Sequence, residues 1–123
     1  MAKHIEVGKL GERIAKLYLK NIGYKILHTN WRYEKGEIDI IAQKLDILVF
    51  VEVKARKTNF FGYPEEYVDK KKQRMTAKTS LAYCEQHCPD CEVQFDVVSI
   101  TLDRFGVPSI KHIEEAFTLY DEP

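Results

Sequence analysis

The chain has 123 residues, 45% of them apolar, and its 19 basic side chains balance 19 acidic ones. This length suits one domain over residues 1–123, with a core of one sheet and two or three helices. No run nears the roughly 18 apolar residues of a membrane span, no charged-then-apolar leader is present, and zero net charge argues against a uniformly basic nucleic-acid binder, so a cytoplasmic globular protein is expected.

The first predicted element is an amphipathic helix from Val7 to Ile22. At about 100° per residue, Val7, Leu10, Ile14, Leu17, Tyr18 and Ile22 share one face, and Lys9, Arg13, Lys16 and Lys20 fall opposite. Glu12 sits on the border beside Ala15 and Leu19, where its carboxylate can look toward a sheet edge. Pairing with Lys16 one turn on would make it an ordinary solvated helix residue instead.

Alternating apolar positions from Tyr24 predict a strand through Trp31, Arg32 and Tyr33, followed by a turn at Glu34 and Lys35 before Gly36. Residues Gly36 to Lys54, GEIDIIAQKLDILVFVEVK, carry the strongest signal. Ile38, Ile40 and Ile41 surround Asp39, and the apolar run Ile47 to Val51 continues into Glu52, Val53 and Lys54. Removing such charges from water costs several kcal/mol unless a partner or metal compensates. Period two puts Leu48, Phe50, Glu52 and Lys54 on one face and Val49, Val51 and Val53 on the other. An antiparallel pairing of the two strands brings Asp39 close to Glu52. Two carboxylates beside an ammonium are the minimal equipment for metal-assisted phosphodiester hydrolysis: hard oxygens for Mg²⁺, and a lysine to orient water or hold developing charge. The bland alternative is an ion pair at the rim of an ordinary sheet.

Charge is unevenly spread. Residues 1–53 carry +2, residues 54–78 carry +5 and residues 79–123 carry −7. The basic island opens with Lys54, Arg56 and Lys57 and resumes at Lys70, Lys71, Lys72, Arg74 and Lys78 on a second helix, about Val68 to Gln86. Such groups either hold phosphates beside the site or form a solvated helix face. Between them, Phe60, Phe61 and Tyr63 flank Gly62 and precede Pro64, a loop suited to base stacking or to packing its own turn. Cys84, Cys88 and Cys91, in a chain of this size and expected compartment, read as free thiols; a zinc site from them and His87 would lack two separated knuckles. A strand at Val93 to Leu102 contains Asp96, expected to be structural and to pair with a lysine of the second helix. Gly106-Val107-Pro108 turns into a short last strand, Ser109 to Ile113, and the acidic end from Glu114 reads as solvated with Phe117 and Leu119 docked.

Taken together, Glu12, Asp39 and Glu52-x-Lys54 resemble the PD-(D/E)xK nuclease superfamily, especially the archaeal Holliday junction resolvases. The closer resemblance is to the small YraN-like bacterial family of that superfamily, through Gly8, Gly11, Glu12 and Ala15, Gly23-Tyr24, Asn30, Gly36-Glu37-Ile38-Asp39 and Phe50-Val51-Glu52-Val53-Lys54. It continues through Phe61-Gly62, the lysines before Arg74, Phe95-Asp96-Val97-Val98 and Ala116-Phe117, and so covers nearly the whole chain. Gly-x-x-Asp replaces the superfamily's usual proline before the acid, as in the resolvases. The resemblance implies an α/β, restriction endonuclease-like core, a mixed central β-sheet flanked by helices. It implies Asp39 and Glu52 as ligands of Mg²⁺ or Mn²⁺, with the Val53 carbonyl expected beside them, Lys54 as catalytic lysine and Glu12 as accessory acid. The implied substrate is nucleic acid, DNA first and branched or junction DNA in particular, and a homodimer stays open because a junction needs two cuts. A non-cutting nucleic-acid-binding module and a protein-interaction domain are the other readings that the residues allow.

Overall fold

The computed structural model describes residues 2–58 and 69–118, with side chains from Val7 onward. The aromatic loop from Phe60 to Pro64, the expected helix start at Val68 and the docking of Leu119 lie outside the described residues. The elements run α1 (Ala2–Asn21), β1 (Lys25–Tyr33), β2 (Gly36–Lys44), β3 (Ile47–Lys57), α2 (Lys70–His87), β4 (Glu92–Leu102) and β5 (Pro108–Phe117). One five-stranded sheet takes the strands in sequence order. Neighbours are antiparallel except β3 and β4, which run parallel across the α2 crossover. This is an α/β fold with a mixed central sheet, consistent with a restriction endonuclease-like core. Among the described residues, no helix is long and apolar enough to cross a membrane.

Period two sorts β3 as its sequence predicts. Val49 and Val51, with Val53 packed alongside, join Ala15 and Leu19 of α1 in one core cluster, while Leu48 and Phe50 join Tyr83 and Cys84 of α2 in the other. Glu52 and Lys54 belong by the same alternation to the α2 face.

The face of α1 is the expected one only in part: Val7, Ile14 and Tyr18 pack against the core. Its buried stripe is Gly11, Ala15 and Leu19, spaced one turn apart, whereas Leu10, Leu17 and Ile22 are 37%, 58% and 47% exposed. Helical periodicity assigned that face to the bulkiest residues; close packing assigned it to the smallest. A Cβ on Gly11 would collide with the Ala55 side chain of β3, so the glycine lets the helix backbone settle directly on the strand. Gly36 does the same for α2, since a Cβ there would run into Thr79. Its role is close approach of helix to sheet at the head of β2.

Three further expectations change. β5 extends to Phe117 instead of ending at Ile113, and Phe117 is buried against Phe95, with which its ring stacks at 4.8 Å. Asp96 pairs with no lysine of α2: its neighbours Phe95 and Val97 face α2, so alternation turns Asp96 to the α1 side. There it accepts hydrogen bonds from Tyr24 (3.1 Å), Gln94 (2.9 Å), the Glu115 amide (3.1 Å) and His112 Nε2 (2.7 Å). Finally, Cys88 and Cys91 form a disulfide, leaving Cys84 as the free, buried thiol. Cys88 caps α2, donating its amide to the Cys84 carbonyl, and the next turn brings the Cα atoms of Cys88 and Cys91 to 5.5 Å, within disulfide reach.

Candidate metal and nucleic-acid site

The ladder between β2 and β3 ends at Ile40 and Val51. Beyond it, the Asp39 side chain replaces the missing backbone partner: the Val53 amide donates to Asp39 Oδ2 at 2.8 Å. The register that ends one step earlier leaves Glu52 as the residue facing Asp39. Because the N–H and C=O of one extended residue leave on the same edge of its strand, the Val53 carbonyl also faces the β2 side.

Burial, and then the neighbouring Glu52 carboxylate, push the Asp39 carboxyl up to about 7, with Glu12 adding to the rise and the Val53 amide and Lys72 opposing it. Burial also raises Glu52, against the pull of Lys72 and Lys54. Two carboxylates thus share a poorly solvated space, and both are harder to ionise than usual. Such a pair gains from a cation.

Glu12 enters from α1, the helix that Gly11 seats on β3, and accepts a hydrogen bond from Asn30 Nδ2 at 3.2 Å. It therefore looks toward the sheet edge and binds β1, rather than standing only as a solvated helix residue. Asn30 has φ of 51°, a left-handed backbone that asparagine tolerates better than most residues. Lys72 enters from α2. Asp69 caps that helix by accepting the Lys72 amide at 2.8 Å, and the Lys72 ammonium lies 3.7 Å from Glu52 Oε1.

The structure thus brings Glu12, Asp39, Glu52, Val53 and Lys54 into one neighbourhood and adds Asn30 and Lys72. The sequence groups Lys72 with the phosphate-binding lysines, yet it heads the buried stripe of α2, since Thr76, Thr79 and Tyr83 follow it at four, seven and eleven residues. That spacing was the available signal. For Asn30, the sequence carried no signal beyond a polar residue in a strand. Arg56 and Lys57 lie exposed at the end of β3, and Lys70, Lys71 and Arg74 lie exposed at the start of α2, on the two elements that carry Glu52 and Lys72.

Among the described residues, no three His, Cys, Asp or Glu side chains converge as a metal cage. An ion between Asp39 and Glu52 would take two carboxylates and fill its shell with a carbonyl and waters, which is how Mg²⁺ is usually held. The donor set is all oxygen, so the residues fit Mg²⁺ or Mn²⁺. A separate cleft of about 620 Å³ lies near Asp46, Asp90 and the Cys88–Cys91 disulfide, at the far end of β3 from Glu52. Its acidic lining is unsuited to phosphate.

A five-stranded mixed sheet with a helix packed on each face is consistent with a restriction endonuclease-like core. Residues 11–100 match the model of the uncharacterised protein family UPF0102. The chain is 42% identical over 117 residues to a UPF0102 protein of Flavobacterium psychrophilum, covering 95% of this chain and 98% of the relative. It is 44% identical over 117 residues to one of Bacteroides thetaiotaomicron (95% and 96% covered) and 44% over 114 residues to one of Geotalea daltonii (92% and 90%). The chain belongs to UPF0102, the YraN-like family.

Proposed function

We propose that this protein is a metal-dependent nuclease that hydrolyses phosphodiester bonds of DNA, branched or junction DNA foremost. The observation that carries the reading is the Asp39–Glu52 pair: two crowded carboxylates, both raised by burial and Asp39 further by Glu52, at the point where β2 and β3 part. Asp39, Glu52 and the Val53 carbonyl would hold Mg²⁺ or Mn²⁺. When bound, such an ion lowers the pKa of a coordinated water and neutralises charge on the phosphate.

The other roles fall to the chain's own groups. Lys54 lies near enough to Glu52 to lower its carboxyl, and its ammonium would orient the attacking water or hold charge developing on phosphate oxygen. Glu12, held by Asn30, acts as an accessory acid next to Asp39. Arg56, Lys57, Lys70, Lys71 and Arg74 form the bordering basic surface that takes flanking phosphates.

The ion pair of Lys72 with Glu52 favours a second reading, in which the cluster is a structural network in a non-cutting binding domain. A cleavage screen with Mg²⁺ and Mn²⁺ across junctions, flaps, duplex and single strands separates the two. Activity in the wild type that falls about 10² or more in Lys54→Ala, with folding and binding retained, supports the nuclease. No cleavage of any substrate by the wild type returns the cluster to the structural reading.

A further inference from the structure

Lys72 reaches the carboxylate pair from the opposite element to Lys54. The Asp69 cap fixes its backbone in the first turn of α2, Gly36 lets that helix settle against the head of β2, and its ammonium lies 3.7 Å from Glu52 Oε1 while its neighbours Lys70 and Lys71 are exposed. The Glu52 that this ammonium meets is the residue facing Asp39 where the β2–β3 ladder ends, so its charge lies at the pair.

We propose that Lys72 is a tethered stand-in cation that competes with the divalent ion for the Asp39–Glu52 pair, neutralising the site in the free protein and withdrawing when the ion enters. The inference rests on the metal-site reading above. A strained carboxylate pair that must stay folded before it meets an ion needs positive charge, and a side chain supplies it without being lost to solvent. The same ammonium repels an incoming dication and occupies an oxygen the ion would take. Once displaced, Lys72 stands at the head of the basic turn with Lys70 and Lys71, where a phosphate is its natural next partner. Metal loading and phosphate capture are then linked through one side chain.

Mn²⁺ titration calorimetry on the full chain tests this. Lys72→Met, which keeps length and helix propensity, is expected to bind Mn²⁺ about tenfold more tightly than wild type, and Lys72→Arg to stay within about threefold of it. Lys20→Met, an exposed lysine of α1, should leave the affinity unchanged. Wild-type binding that Lys72→Met leaves equal or weakens overturns the inference but keeps the metal site. Binding by neither wild type nor Lys72→Met overturns both. Amine acylation of the wild type read by mass spectrometry is independent of any variant's folding: saturating Mn²⁺ should increase labelling of Lys72 relative to Lys71, and unchanged or reduced labelling overturns the competition.

Discussion

The Val53 amide donates to the Asp39 carboxylate at 2.8 Å, one step past the last backbone pair of β2 and β3. A side chain thus completes what the ladder leaves undone, and it fixes Asp39 against the strand that carries Glu52 and Lys54. Asparagine can accept the same hydrogen bond, so Asp39→Asn should fold. The Asp39 carboxyl is pushed above its ordinary value of 3.8 to about 7, so its contribution to stability is present at low pH and lost as pH rises through about 7. In EDTA, the contribution of Asp39 to wild-type stability should therefore decline smoothly between about pH 4 and pH 8. At pH 8, Asp39→Asn should melt higher than wild type by ~3 °C or more, and the difference should close toward pH 4. Mn²⁺ should raise the wild-type melting temperature and leave the variant's unchanged. Scanning calorimetry decides it, and a variant less stable than wild type at pH 8 in EDTA removes the electrostatic argument.

Exposed cations at the start of α2 lead to a binding prediction. Lys71 and Arg74 are exposed, whereas Lys72 is engaged by Glu52. Changing Lys71 and Arg74 to Gln should weaken duplex binding for all sequences alike and reduce the salt slope by roughly 0.9 per lost contact. Fluorescence anisotropy at several salt concentrations measures both quantities. An unchanged slope makes this a solvated helix face.

Much of this arrangement was legible in the chain because strand alternation is strict. Glu52 and Lys54 were placed on one face, and Asp39 opposite Glu52, from period two and one turn alone. Helix faces were less legible. The stripe Gly11-Ala15-Leu19 looks apolar only once packing distance is considered, since its first two members are the smallest residues available. Asp96 was assigned a lysine because charge suggests charge, but a buried carboxylate is equally well served by neutral donors, and no pattern in sequence brings Tyr24 and His112 to it. The disulfide depended on how α2 ends, which spacing alone does not give.

Seating of α1 can be tested at Gly11. An alanine there would gain about 0.8–1 kcal/mol of helix propensity. It would also drive a Cβ into the Ala55 side chain, and overpacking of this kind costs typically about 1–3 kcal/mol. The clash should win, because Ala55 has no flexible end to move aside. Gly11→Ala is expected to destabilise the protein in urea unfolding, and Ala55→Gly in the same chain to recover most of the loss, with a coupling of ~1 kcal/mol between the two changes. Additive effects would mean that the helix backbone does not rest on Ala55.

The Asp96 network gives the last expectation. Its side chain is fully buried and its carboxyl is held below the ordinary value: burial alone would raise it, but hydrogen bonds from His112, Gln94 and the Glu115 amide outweigh that. The sign is opposite to that of Asp39, so this contribution is present above the ordinary carboxylate value and lost as pH falls through the depressed one. Asp96→Ala strands four donors and should cost several kcal/mol, since each buried donor left without a partner costs about 1–3 kcal/mol. Asp96→Asn should cost much less, for a structural reason. Its amide can replace Oδ2 only if the groups facing it become acceptors, and both can: the Tyr24 hydroxyl rotates, and His112 moves its proton from Nε2 to Nδ1, where the Tyr18 hydroxyl lies 3.0 Å away and can accept it. Nitrogen-15 NMR should therefore show the Nε2–H tautomer of His112 in wild type and the Nδ1–H tautomer in Asp96→Asn. Asp96 faces α1 while Glu52 and Lys54 face α2, so Mn²⁺ binding by Asp96→Asn should match wild type. Equal losses in the Ala and Asn variants, with no change of tautomer, would show that charge rather than donor satisfaction holds this part of the core.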